Sequence, residues 1–371
     1  MTRHSTFVGR PFTGCLAGRP LTGRQVFLAI AVIAAATIAT SAQVKPGATA
    51  TDVALYTGAD RMEKLIAGAK KEGSVSIYTS LQTVDIGKLG TAFEKKYGVK
   101  VVSWRAGSED IVQRSVQEAR ANRNTVDVME TNGPELESMH RENILQLVKS
   151  PYLPDLIAPA ILPHGEWVGT RLNVFVQAYN TNKVQKADLP KTWEDLANPK
   201  WKGKIGIEQE DSDWLAGTFA DIGDARARKV FQDIVRTNGM SVRKGHTLLS
   251  QLVVSGEVPL ALTVYNYKAE QLKKQRAPID WFVIGNAIAR PNGIAVARKA
   301  PHPHAAVLFY DFELSPEGQQ IIANLEFVPT SRKIDTPLNK VPMKFVDAKV
   351  AIDEYDKWKG LYRQLFNIRG S

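Results

Sequence analysis

Apolar residues along this chain follow two periods that take turns. From Ala59 they recur every three to four positions, with Met62, Leu65, Ile66 and Ala69 on one face, which predicts a helix that Gly73 stops. Val75 to Thr79 then reads as a strand, and Val84 to Tyr97 returns to the helical period with Ile86, Leu89, Phe93 and Tyr97 inward and Gly98 as the stop. Val99 to Trp104 predicts a second strand, Ser108 to Asn122 a helix opened by Ser-Glu-Asp, Val126 to Met129 a third strand, and Pro134 the start of another helix. Strands alternating with helices argue for right-handed βαβ units on a parallel sheet. The stretch 43–57 carries neither period and reads as flexible.

A different pattern begins after Trp167. Leu172, Val174, Val176 and Ala178 fall on one face, Asn173 and Gln177 on the other, and Phe175 breaks the alternation as a strand covered on both sides does. Asn180-Thr-Asn182 supplies a turn, Thr192 caps a short helix with Glu194 and Asp195 in its first turn, and Asn198-Pro199 ends it before a strand from Lys204 to Glu208. Helices are then predicted at 214–222, 225–238, 247–255 and 268–274, with strands at 260–264 and 281–284. Pro291-Asn-Gly-Ile-Ala-Val begins a return. Ser315 with Pro316 behind it predicts a break between two helices, and Tyr355, Trp358, Tyr362 and Leu365 predict an amphipathic terminal helix.

Three phrases carry a resemblance: Tyr179-Asn180; Pro190-Lys-Thr-Trp-Glu-Asp-Leu196 followed by Trp201-Lys-Gly-Lys-Ile205; and Ala300-Pro-His-Pro with Leu314-Ser-Pro-Glu-Gly-Gln. Together they resemble the extracellular solute-binding proteins of ABC importers, family 1, in the group that includes the ferric-ion-binding proteins. The resemblance implies an α/β, two-lobed periplasmic-binding-protein type II fold: each lobe a mixed, mostly parallel sheet flanked by helices, hinged around a ligand cleft. It implies an N-terminal lobe of residues 43–171 plus 285–334 and a C-terminal lobe of 172–284 plus 335–371. It also implies that the 300–320 phrase packs on the first lobe and that the terminal helix returns to the second.

Composition adds the compartment. The chain has 371 residues, 23% of them charged and 44% hydrophobic, an ordinary soluble balance long enough for two cores. Arg3, Arg10, Arg19 and Arg24 precede an apolar run from Val26 to Ala39, no acid occurs before Asp52, and Thr40-Ser41-Ala42 suits cleavage. Residues 1–42 therefore read as a signal peptide, too short and too Ala-rich for a membrane anchor and lacking a twin-arginine pair. The single cysteine, Cys15, lies ahead of the apolar run, where a lipid-bearing cysteine does not sit. Cleavage leaves no thiol, which excludes disulfides and thiol catalysis. The net charge is +10, and removing the four leader arginines leaves +6. With no basic cluster interleaved with aromatics, this argues against nucleic-acid binding and leaves a mild preference for anionic ligands.

Ligands of open α/β sheets sit beyond the carboxyl ends of strands, at helix N-termini. That rule selects Thr79, Ser80 and Leu81 after the first strand, Arg105 and Ser108 after the second, and Thr131 and Asn132 after the third. Singly the hydroxyls also read as helix caps; as a cluster they offer the donors a carboxylate or phosphate needs. Arg171 is a further anion candidate, with a surface salt bridge as its plain alternative. In the second half, Asp211 reads as reaching an amine or a metal, Trp214 as stacking on a ligand, and Tyr265 and Tyr267 as lining the site. Resemblance to the ferric-binding group implies two adjacent tyrosines here as iron ligands. In this chain Asn266 separates them, which predicts diverging side chains, and Thr79-Ser80-Leu81-Gln82 stands where that group often carries histidine and glutamate.

A hard ferric ion wants anionic oxygens, so the reduced set favours an organic or phosphorylated anion, with iron or an iron chelate on Tyr265 and Tyr267 as the alternative. His302 and His304 read as structural, and His140, His164 and His246 as isolated. No Gly-x-Ser-x-Gly, Walker loop or His-Glu-x-x-His occurs. The expectation is a periplasmic, monomeric, non-enzymatic binding protein, without cofactor, that hands a small molecule to the transmembrane subunits of an ABC permease. A secreted hydrolase or lyase on the same scaffold, or a partner for a chemoreceptor, are the rivals.

Overall fold

The structure is a computed structural model that describes residues 49–336, 338 and 341–368; the predicted signal peptide and Cys15 lie outside the described residues. Its strands are β1 (Ser74–Thr79), β2 (Lys100–Arg105), β3 (Val128–Asn132), β4 (Leu145–Gln146), β5 (Val168–Asn180), β6 (Ile205–Glu208), β7 (Ser241–Arg243), β8 (Leu260–Tyr265), β9 (Ile279–Phe282), β10 (Ala287–Ala297), β11 (Val328–Pro329) and β12 (Met343–Phe345). Its α-helices are α1 (Ala50–Ala54), α2 (Arg61–Glu72), α3 (Thr83–Tyr97), α4 (Ser108–Arg120), α5 (Gly133–Arg141), α6 (Ser212–Ile222), α7 (Asp224–Asn238), α8 (His246–Ser255), α9 (Asn266–Lys274), α10 (Pro303–Leu314), α11 (Pro316–Asn324), α12 (Ala348–Asp353) and α13 (Tyr355–Leu365).

The main sheet runs β2-β1-β3-β10-β5-β8-β6-β7. At one end β1 pairs in parallel with β2 and β3; at the other β6 pairs in parallel with β7 and β8. Between them β10 and β5 run antiparallel to each other and to their outer neighbours β3 and β8. Two parallel βαβ halves are thus joined through two long crossing strands, both buried along their length. Their close approach depends on Gly293, beside a register shift at Asn292: a Cβ there would lie 2.3 Å from the Val168 carbonyl oxygen.

Each half has its own core. Ile77, Leu89, Phe93, Val128, Met129, Phe309 and Phe312 belong to the first, and Trp193, Trp201, Trp214, Phe231, Leu262 and Tyr362 to the second. Leu172, Val174 and Val176 of β5 form a separate cluster with Ala287 and Ala289 of β10, while Phe175 points into the second core, so β5 is covered on both faces. The helix stops expected at Gly73 and Gly98 adopt the left-handed conformation. Ser315 caps α11, its hydroxyl accepting from the Gly318 N–H at 3.3 Å. The terminal helix α13 packs Tyr362 and Leu365 into the second core, whereas Ala348 of α12 joins the first.

One local expectation is corrected. Residues 50–54 are helical, not flexible: Thr49 and Asp52 cap α1 reciprocally, and Ala50, Val53 and Ala54 are buried in the first core.

Candidate functional site

Six helices begin where strands end: α3, α4 and α5 after β1, β2 and β3, and α6, α8 and α9 after β6, β7 and β8. None of the six has a side-chain cap hydrogen bond. Their starts thus lack a capping side chain, although α3, α4, α5 and α6 carry acids in the first turn and the Trp214 N–H of α6 donates to Asp213 at 2.9 Å.

Side chains tie these ends together. Asn132, before α5, donates to the Ser108 hydroxyl of α4 at 2.8 Å, and Asn292 of β10 donates to Asn132 at 3.0 Å. Arg290, also on β10, donates to Asp213 in the first turn of α6 at 2.7 Å and to the Tyr265 hydroxyl before α9. Tyr267 packs against both cores, with its ring centroid 4.0 Å from that of Phe327. Gln271 of α9 donates across the halves to the Leu325 carbonyl at 3.0 Å. Beside Arg290 a pocket is walled by Glu109 and Glu135 from the first half and by Glu210, Asp213 and Trp358 from the second.

The electrostatics of this cleft are mixed. Burial pushes the Tyr265 phenol well above its ordinary value against the pull of Arg290, and pushes Tyr267 up to about 12 against the pull of Arg171. Arg290 itself is held charged: burial opposes its charge, but Asp213 and Tyr265 outweigh burial. Glu135 is raised by burial, with Arg290 opposing, and Glu109 by burial and by Glu210 across the cleft. Deeper in the second half, Glu208 is pushed up to about 7 by burial and Asp211. Burial lowers His246, but Asp211 and Glu208 reverse that and leave it raised.

The predicted site residues separate into groups. Ser80, Ser108, Asn132 and Tyr267 are half-buried at the junction, and Arg105 is exposed near enough to favour the Tyr267 phenolate. Thr79 and Thr131 are wholly buried; the Thr79 hydroxyl donates to Glu130 at 2.8 Å and accepts from the Leu81 N–H at 3.0 Å, while Leu81 packs in the first core.

Two assignments are corrected. Arg171 is 2% exposed, paired with Glu130 and 3.9 Å from Glu313, so it serves the first half's interior and not a ligand. Trp214 is 1% exposed, packed edge-on against Trp193 and Phe231, and presents no face for stacking. The expected divergence of Tyr265 and Tyr267 is also overturned: their rings lie 5.8 Å apart at 19°. Tyr265 ends a strand and Tyr267 lies in the first helical turn, so the change of direction brings the rings side by side.

Three features escaped the sequence reading. Arg290 was the most legible, a lone cation in the apolar run Ala-Ile-Ala-Arg-Pro. His246 is not isolated but lies 3.1 Å from Asp211 with Glu208 alongside. His140 and His164 stack 3.8 Å apart beside Glu137 and Glu166. His302 and His304 are structural, bonded to Asp127 at 2.9 Å and Glu72 at 2.7 Å.

Two βαβ halves joined by crossing strands, with uncapped helix starts at their junction, define a two-lobed binding protein of the periplasmic type II class. Residues 88–346 match the family described as bacterial extracellular solute-binding protein, and the chain belongs to that family. It is similar to Iron uptake protein A1 of Synechocystis sp., 24% identical over 305 residues that cover 77% of this chain and 83% of that one. Its fold matches the crystal structure of iron-bound HitA from Pseudomonas aeruginosa (TM-score 0.69, 24% identity, 79% of this chain and 99% of that one). It matches AfuA from Actinobacillus pleuropneumoniae with exogenous fructose-6-phosphate bound equally well (TM-score 0.69, 22% identity, 80% and 100%). The chain is thus a solute-binding protein of the ABC-importer type; the relatives named are binding proteins, and no helix among the described residues is long and apolar enough to cross a membrane.

Proposed function

We propose that this protein, exported to the periplasm and acting as a monomer, captures a small organic or phosphorylated anion between its lobes and delivers it to an ABC permease. The lobes are 43–171 with 285–334 and 172–284 with 335–371, and solute bridging both shifts the open–closed equilibrium toward the form that docks. One observation carries the choice of an anion. Uncapped helix starts from both halves meet around Arg290, Ser108 and Asn132, which offer charge and N–H donors together. Glu109, Glu135 and Glu210 at the same mouth favour a solute of low net negative charge, or one that also carries an amine. The relatives include a sugar-phosphate-bound protein, which supports this reading.

Ferric iron is the second reading, favoured by the side-by-side Tyr265 and Tyr267 rings and by relatives whose names state iron uptake or Fe(3+) binding. It requires both phenols to lose protons, each raised by burial, and Tyr265 to leave Arg290. A thermal-shift panel of carboxylates, phosphonates, sugar phosphates and ferric salts on the exported form tests the choice. A rise in melting temperature with an organic anion is expected. A visible tyrosinate–iron colour with ferric salt, and no shift with any organic anion, overturns it in favour of iron.

A further inference from the structure

Behind Tyr265, the loop from β6 into α6 and the start of α8 bring Glu208, Asp211 and His246 together, with one ligand atom of each within 4.8 Å of the others. The hydrogen bonding fixes what the imidazole offers. His246 Nδ1 lies 3.0 Å from the Thr263 carbonyl oxygen, which only accepts, so Nδ1 carries a proton and Nε2 is the nitrogen left to hold a second proton or a metal ion. Nε2 faces Asp211 Oδ1 at 3.1 Å. Two lone pairs do not face each other at that distance without a cation between them. A proton there serves that one contact, yet Asp211 Oδ2 is buried without a hydrogen-bond partner, and Glu208 adds a second buried carboxylate. A divalent cation with neutral imidazole balances both carboxylates.

One separation within the group suits such an ion. Donors around a tetrahedral metal at about 2.0–2.1 Å stand roughly 3.3 Å apart, close to the His246–Asp211 separation. Glu208 is held in place by the Gly245 N–H at 2.8 Å and by the Glu210 N–H, and Thr263 orients the imidazole as outer partners of metal ligands do. The other histidine–carboxylate group, Glu137 with His140 and His164, lacks this arrangement. There His164 Nδ1 accepts from the Glu166 N–H at 3.0 Å, so its proton sits on Nε2, the nitrogen turned toward Glu137.

We propose that Glu208, Asp211 and His246 form a site for a divalent transition-metal cation of the zinc class, set in the second lobe behind Tyr265. The mixed nitrogen and oxygen donors suit such ions. The bound ion pins the start of α8 to the β6–α6 loop, and His246, whose ring centroid is 3.7 Å from that of Tyr265, transmits that rigidity to the cleft wall. This inference does not depend on which solute the cleft takes.

The test is to strip the exported full chain with chelator and titrate it with Zn²⁺ by calorimetry and with Co²⁺ by visible absorption and proton NMR. One equivalent is expected, with a low-symmetry cobalt spectrum and a hyperfine-shifted, exchangeable Nδ1–H signal from a single histidine. Asp211→Asn and His246→Gln, each checked for fold by circular dichroism, should weaken Zn²⁺ by at least about tenfold. The double variant Tyr265→Phe, Tyr267→Phe should bind Zn²⁺ as the parent does, which separates this site from iron in the cleft. Absence of Zn²⁺ and Co²⁺ binding to the parent, a cobalt complex without a shifted histidine proton, or equal loss in the tyrosine double variant overturns the proposal.

Discussion

Arg171 and Arg290 stand two steps apart in register on the paired strands β5 and β10: Arg171 lies opposite Asn292, and Arg290 opposite Asn173. Both are buried, both meet carboxylates, and both lie over aromatic rings, Arg171 over Phe327 at 5.3 Å and Arg290 over Phe175 at 5.4 Å. They nevertheless do different things. Arg171 is enclosed by the first half, with Glu130 from β3 and Glu313 from α10, both wholly inaccessible. Arg290 borders the cleft, and its partners Asp213 and Tyr265 belong to helix starts of the second half. Similar chemistry on adjacent strands makes a structural ion pair in one direction and a binding surface in the other. What separates them is position along one shared face, because opposed residues of an antiparallel pair point the same way: Arg171 lies over the closed first half, and Arg290, two residues on, over the second.

The largest effect expected is on folding. Arg171→Met leaves Glu130 and Glu313 buried without their cation, and removing one partner of such a group costs about 3–5 kcal/mol. Urea unfolding should show that loss, while the variant that still folds retains solute affinity within about tenfold, a difference below about 1.4 kcal/mol, because Arg171 faces Glu130 and Glu313. A stable Arg171→Met protein with abolished binding would return this arginine to the ligand site. Arg290→Met should do the reverse. A charge-assisted hydrogen bond from Arg290 to an anionic solute is worth about 1.5–3 kcal/mol, and its loss should appear as solute affinity lowered about tenfold to a hundredfold. Equal destabilisation by the two substitutions, with binding intact in both, would erase the contrast.

Sequence alone could not make this distinction, and the reason is physical. Period and turn chemistry mark where strands and helices lie, as the stops at Gly73 and Gly98 and the cap at Ser315 illustrate. A strand covered on both faces loses the alternation that says which way a side chain points. Arg171 therefore read as a ligand and Arg290 drew no notice. The carboxylates that decide their roles come from other elements, at no motif spacing. His246 and Asp211 meet for the same reason, each at a helix start after a different strand. The error at residues 50–54 was avoidable, because Thr49-x-x-Asp52 is a capping signature written in the chain.

A smaller effect separates the two tyrosines from the arginine they flank. Tyr265→Phe removes the oxygen that accepts from Arg290 and leaves one guanidinium N–H without that partner. Arg290 keeps its charge and its bond to Asp213, so solute affinity by calorimetry should fall less than for Arg290→Met, and Tyr267→Phe should not reproduce that loss through Arg290. If ferric iron is the solute instead, either phenylalanine should abolish colour outright, a difference in kind that the same titration reads.

The slightest change, and the one that probes the closed side most directly, is Glu313→Gln. Burial holds the Glu313 carboxyl well above its ordinary value, the charge of Glu130 adds to the rise, and Arg171 opposes it. The folded protein therefore keeps a proton on Glu313 that the unfolded chain releases above about pH 4.5. Its contribution to stability is fully present below that pH and declines as pH climbs toward the folded value. Glutamine has the same shape and carries no proton to lose, so the substitution should leave acid stability close to the parent's and flatten the decline between pH 5 and 8. Urea midpoints of both proteins across that range measure the slope. Parallel curves would mean that Glu313 is ionised beside Arg171, and that the first half encloses a fully charged triad with one net negative charge in place of a neutral Arg171–Glu130 pair beside a protonated Glu313.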